Sequence, residues 1–134
     1  MTSMWLRTLT CVVLLAGLAS ASHGQTHKDI KAAEIARLPQ FCWEQYGAAQ
    51  GPQYRIGRDC GPMMNHYCGA LVELLRAKKS AGDRIKRLTH LKLARESAIY
   101  THSGMEKYPS CSIRDHVMRS MREIDSMITG LGAK

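Results

Sequence analysis

The chain has five cysteines, Cys11, Cys42, Cys60, Cys68 and Cys111, and the first stands apart from the rest. Cys11 opens the apolar run CVVLLAGL over 11–18, between a short polar start containing Arg7 and the small residues Ala19-Ser20-Ala21. A charged start, an apolar middle and small residues at −3 and −1 are the three parts of a secretory signal peptide. Cleavage is therefore expected after Ala21. The apolar run is well short of the about 20 residues a spanning helix needs, and nothing later reads as a transmembrane segment. Cys11 lies too early to be a lipidated residue following the small-residue exit. Processing would leave four cysteines in a periplasmic or extracellular setting, and an even number in an oxidising compartment reads as two disulfides.

Four cysteines allow three pairings, and the helix pattern selects among them. A first helix is expected over Thr26–Leu38, with Ile30, Ala33 and Ile35 as its apolar members. Pro39 interrupts it and can open a second helix through Phe41, Cys42, Trp43 and Tyr46 that fades at Gly47. A breaker-rich loop, Gly51-Pro52 to Gly57, follows. Gly61-Pro62 opens a third helix, where Met64, Tyr67, Cys68, Leu71 and Leu75 share one face. Asn65, His66, Glu73, Arg76 and Lys79 fall largely off that face. Ser80-Ala81-Gly82 ends this helix, with Gly82 as a candidate left-handed cap, and Asp83 can cap the fourth. That fourth helix carries an apolar stripe of Ile85, Leu88, Leu91, Ala94, Ala98 and Met105, and ends between Gly104 and Pro109. Ser112 to Asp115 reads as a capping box, and Ile113, Val117, Met121, Ile124, Ile128 and Leu131 form the last stripe. No alternating apolar run is bounded by hairpin signals, so no sheet is expected.

The expected class is all-α: a small antiparallel helical-hairpin bundle of four to five helices, stapled by disulfides, in a single domain over 22–134 with its core at about 39–131. The small residues Gly69, Ala70, Ala94 and Ala98 are expected to let the third and fourth helices approach closely. Cys60 and Cys68 are separated by about 12 Å along one helix, beyond the roughly 4.4–6.8 Å a disulfide spans. Cys42 lies about 9 Å and Cys68 about 12 Å above the joining loop, nearly level, and the antiparallel fourth helix returns Cys111 to the height of Cys60. Cys42–Cys68 and Cys60–Cys111 are the expected pairs.

NHYCGAL on one helix, LARESAIY on the next and a proline after it resemble a degenerate tetratricopeptide-type helical hairpin. FCWEQY upstream, with HYC downstream, is similar to small exported bacterial proteins of that helical kind. The resemblance covers Pro39 to Ser126 and implies a binding or assembly module, not an enzyme.

The net charge is +8, and losing Arg7 from 19 basic residues leaves 18 against 11 acidic ones, or +7. Such a surface favours an anionic envelope surface or an acidic envelope protein, and export argues against nucleic acid. Arg76, Lys78, Lys79, Arg84, Lys86 and Arg87 flank the turn between the third and fourth helices and form a candidate anionic-partner site. Trp43 and Tyr54 are candidate partner-surface aromatics. The chemical alternative is a periplasmic metal site on Met63 and His66, completed by His102, His116 or Cys111. CxxC, CxxCH and HExxH motifs are absent, as is a nucleophile elbow, so neither catalytic residues nor a cofactor is expected. Glu73, Glu96 and Glu106 read as members of surface ion pairs.

Overall fold

The structure, a computed structural model, describes residues 29–132. The expected signal peptide, 1–21, and the start of the helix expected from Thr26 lie outside the described residues. Those described form an all-α fold with four α-helices: α1 (Ala32–Ile35), α2 (Asn65–Lys79), α3 (Arg84–Met105) and α4 (Arg114–Gly132), with no strand among them. Short 3-10 turns at Gln40–Cys42, Glu44–Tyr46, Pro52–Tyr54, Arg58–Cys60 and Pro62–Met64 occupy the segment between α1 and α2.

The α2–α3 hairpin is the core of the fold. Asp83 accepts the Lys86 amide at 2.9 Å and so caps α3. The two helices make the most extensive interface, where Ala70, Ala94 and Ala98 are buried and bring the backbones together. Leu91, Val72, Val117, Ile124 and Met105 fill the layers around them with no exposed surface. Each such side chain contributes about 1.5–3 kcal/mol on burial. Helix α4 packs on α3, whereas α2 and α4 touch only sparingly. The bundle is thus hinged on α3, and α2 and α4 splay apart on either side of it.

Two disulfides tie the irregular segment to this bundle. Cys42 is joined to Cys68 with Cα atoms 5.6 Å apart, and Cys60 to Cys111 at 4.3 Å. These are the two pairs selected by height along the helices. The first pins the Gln40–Cys42 turn to α2, and the second holds the approach to α2 against the approach to α4.

Several local expectations are corrected. The first helix is a single turn, and its inward residue is Glu34, whose carboxylate accepts the Lys31 amide at 3.0 Å; Ala33 is exposed. The segment expected as a second helix forms two 3-10 turns, ended by Gly47 at φ 69°. Here the Trp43 indole N–H donates to the Leu38 carbonyl at 3.2 Å and the chain is bent toward Cys68. Helix α2 ends at Ser80 without a left-handed Gly82, because Ser80 N–H already donates to the Arg76 and Ala77 carbonyls. Ile85, placed on the α3 stripe, is 81% exposed in the first turn of that helix, on the side away from its neighbours. Helix α4 starts at Arg114, and the Ser112 amide donates to Asp59 at 2.7 Å in place of a local capping box. That bond holds the Asp59 carboxyl below its usual range.

Candidate binding cleft

The splay of α2 and α4 leaves a cleft of ≈ 360 Å³ between them. Leu71, Leu74, Leu75 and Lys78 line one wall and His116, Arg119, Ser120 and Glu123 the other, with Arg37, Leu38 and Pro39 along the edge. Both walls follow the i, i+3, i+4, i+7 spacing of one helix face. The floor is apolar, and the rim carries Arg37, Lys78 and Arg119. Lys78 reaches across to Glu123 at 2.7 Å, closing one end with an exposed ion pair. Arg37 and Arg119 have no acidic partner among the described residues.

The other end of the cleft is a polar latch. Tyr67, fully buried, has its hydroxyl against His116 Nδ1 and 2.9 Å from Ser120 Oγ. Phe41 stands edge-on to the His116 ring at 5.3 Å. Burial, and then the Arg119 charge, lower the pKa of His116, so its ring is held neutral. A neutral imidazole accepts at Nδ1, which lets the phenol donate to His116 and accept from Ser120. Burial pushes the Tyr67 phenol up to about 12, which rules it out as a base for Ser120 at neutral pH. The latch fixes the cleft's geometry.

The expected basic tip is largely taken up by internal partners. Arg76 is inside the fold, with Glu34 at 3.2 Å, Glu73 at 3.3 Å and Asp29 at 3.5 Å. Glu73, expected at the surface, is only 3% exposed and also accepts from His90 Nδ1 at 2.6 Å. Lys79 lies 3.7 Å from Glu34, and Lys78 pairs with Glu123. Arg84 donates twice to the Leu131 carbonyl, at 2.9 and 3.3 Å, and so satisfies the end of α4. Arg87 is half-buried, and the exposed Arg84 and Lys86 have no acidic partner among the described residues. Of the six, Arg76 and Lys79 serve the buried carboxylates of Glu34 and Glu73.

The Arg76 cluster also sets local acidity. Burial raises the Glu34 pKa, but the Lys31 amide and the Arg76 and Lys79 charges outweigh it and the net shift is downward. Arg76 is driven the other way by the same contacts. The nearby Tyr46 hydroxyl is buried with no hydrogen-bond partner among the described residues and is pushed up to about 12, chiefly by burial.

Trp43 and Tyr54 are brought together, stacked at 5.8 Å with rings 8° apart and both half-buried. They mainly brace the irregular segment against itself. The alternative metal ligands are not assembled. Met63 packs on Gly104, His66 tilts against Tyr100 at 4.2 Å, Cys68 and Cys111 are in disulfides, and His116 is engaged by Tyr67. Among the described residues no group of three or more His, Cys, Asp or Glu gathers as a metal site. Nor is any described helix long and apolar enough to cross a membrane.

The cleft is not legible in the sequence because its walls lie on two different helices whose angle no local pattern sets. Leu74 falls outside the apolar face expected for the third helix, and Arg119 outside the apolar stripe of the last. The usable signal is Leu74, which widens the apolar face of α2 beyond Leu71 and Leu75. No protein-family model matches the chain, and no curated protein or solved structure matches it either.

Proposed function

We propose that this chain is an exported, non-enzymatic helical binding module, and that it meets an anionic partner through the α2/α4 cleft. The observation that carries this reading is the combination of a leucine floor with two arginines, Arg37 and Arg119, that have no acidic partner among the described residues. Binding sites for small ligands are mostly apolar concavities of about 300–1,000 Å³ with a few polar groups that orient the ligand. The cleft matches that description in size and lining. The disulfides agree with an oxidising destination. The likeness to a tetratricopeptide-type hairpin points to the same class of role.

A non-enzymatic role is supported by the chemistry of the polar groups. The Ser120–Tyr67–His116 chain has a neutral phenol in its middle. Among the described residues the His90 ring is hydrogen-bonded to Glu73 alone.

The test uses the purified, oxidised protein and the anionic apolar dye anilinonaphthalene sulfonate. Saturable binding to the native fold is expected, with its loss in Arg37→Glu/Arg119→Glu. An equal charge change outside the cleft, Lys86→Glu/Lys92→Glu, should leave binding nearly intact. Equal loss in both variants would reduce the effect to net charge, and the cleft would not be the site.

A further inference from the structure

The shape of the cleft narrows its occupant. Most of its backbone belongs to α2 and α4, with the irregular Arg37–Pro39 segment along one edge, and N–H groups past the first turn of a helix are bonded within it. An extended peptide would therefore find few main-chain partners there. A helical peptide does not fit either: at a diameter of about 10 Å and 1.5 Å per residue, ≈ 360 Å³ holds about three residues, less than one turn. A slender apolar chain does fit. The cleft walls, Leu71 to Lys78 on α2 and His116 to Glu123 on α4, each span about 10 Å. An extended alkyl chain with carbon–carbon bonds of about 1.5 Å advances about 1.25 Å per carbon, so a chain of about eight carbons matches that length.

The charges select the head group. Lys78 is already matched by Glu123, whereas the guanidinium groups of Arg37 and Arg119, which line the cleft, have no acidic partner among the described residues. Guanidinium binds a carboxylate in a two-pronged fork.

We propose that the cleft binds a free fatty acid of medium chain length, with its alkyl chain along Leu71, Leu74 and Leu75 and its carboxylate between Arg37 and Arg119. This identification rests on the cleft being the binding face. The His116–Tyr67–Ser120 latch forms the closed end and Lys78–Glu123 the other.

The experiment is a calorimetric titration of the oxidised protein with octanoate, decanoate and dodecanoate, each below its micellar concentration, with displacement of the dye as a second readout. One molecule per chain is expected. Each added methylene should tighten binding by about fourfold until the cleft is filled. Arg37→Glu/Arg119→Glu should weaken binding by about tenfold or more. Dodecyltrimethylammonium should not bind. Dye binding in the cleft without displacement by any alkyl carboxylate would overturn the fatty acid and leave the cleft standing. Absence of both would overturn both. Equal affinity for the ammonium compound, tighter binding of dodecyl phosphate, or preference for an acidic peptide would each overturn the assignment.

Discussion

Arg76 separates an account based on exposed charge from one based on internal pairing. Its side chain is 17% exposed and lies within 3.3 Å of two carboxylates, on Glu34 and Glu73, that are themselves nearly inaccessible. Arg76→Ala would strip a shared counter-ion from both. Breaking a buried pair by removing one partner costs about 3–5 kcal/mol. The low end applies here, because Glu73 keeps His90 and Glu34 keeps the Lys31 amide and Lys79. A loss of about 3 kcal/mol is therefore expected, as against about 0.5 kcal/mol or less for a solvated lysine or arginine. In urea, at a slope of about 1.5 kcal/mol/M, the midpoint should fall by about 2 M with the slope unchanged. The assay is far-UV circular dichroism of the oxidised protein, with Lys86→Ala as the exposed comparison. In a Glu73→Gln background the cost of Arg76→Ala should shrink, since one of the stranded charges is gone. A midpoint shift no larger than that of Lys86→Ala would refute the internal role of Arg76 and restore it to the surface patch.

Other perturbations test separate parts of the fold. Because the Glu34 pKa is lowered on folding from 4.5, its contribution is fully present above pH 4.5 and is lost as pH falls through the folded value. Glu34→Gln should be less stable at neutral pH and show a flatter stability–pH curve in that acid range. Gly104→Ala should cost about 1–3 kcal/mol, because a Cβ there would lie 2.4 Å from Met63 Cβ, whereas Gly82→Ala meets nothing within 4 Å and should be nearly neutral. Thermal denaturation of the two variants side by side checks this contrast, and equal losses would contradict the packing. Exported protein should begin at or near Ser22 and give Cys42–Cys68 and Cys60–Cys111 peptides on non-reducing mapping; a chain starting at Met1 with a free Cys11 would contradict the export reading.

The sequence carried the fold through long-range regularities. Apolar spacing on α2, α3 and α4 and the small residues at 69, 70, 94 and 98 were enough to place a hairpin and a third packed helix. The cysteine heights held even though the 39–47 segment is not one α-helix, because two 3-10 turns still bring Cys42 beside Cys68. What could not be read were choices made by tertiary neighbours. Glu73 and Arg76 look like an ordinary surface pair by spacing, and only the return of α1 over α2 turns them inward. The Ser112 end of α4 is held by Asp59, far away in sequence, so a local box could be no guide to it. The cleft is likewise a property of an angle, since it exists because α2 and α4 both pack on α3 and scarcely on each other.

The most direct measurement is amide chemical-shift mapping of the oxidised protein during titration with dodecanoate. The account predicts saturating shifts confined to Arg37–Leu38, Leu71–Lys78 and His116–Glu123, with the turn from Lys79 to Arg87 unmoved. Shifts centred on that turn, with the cleft silent, would contradict it.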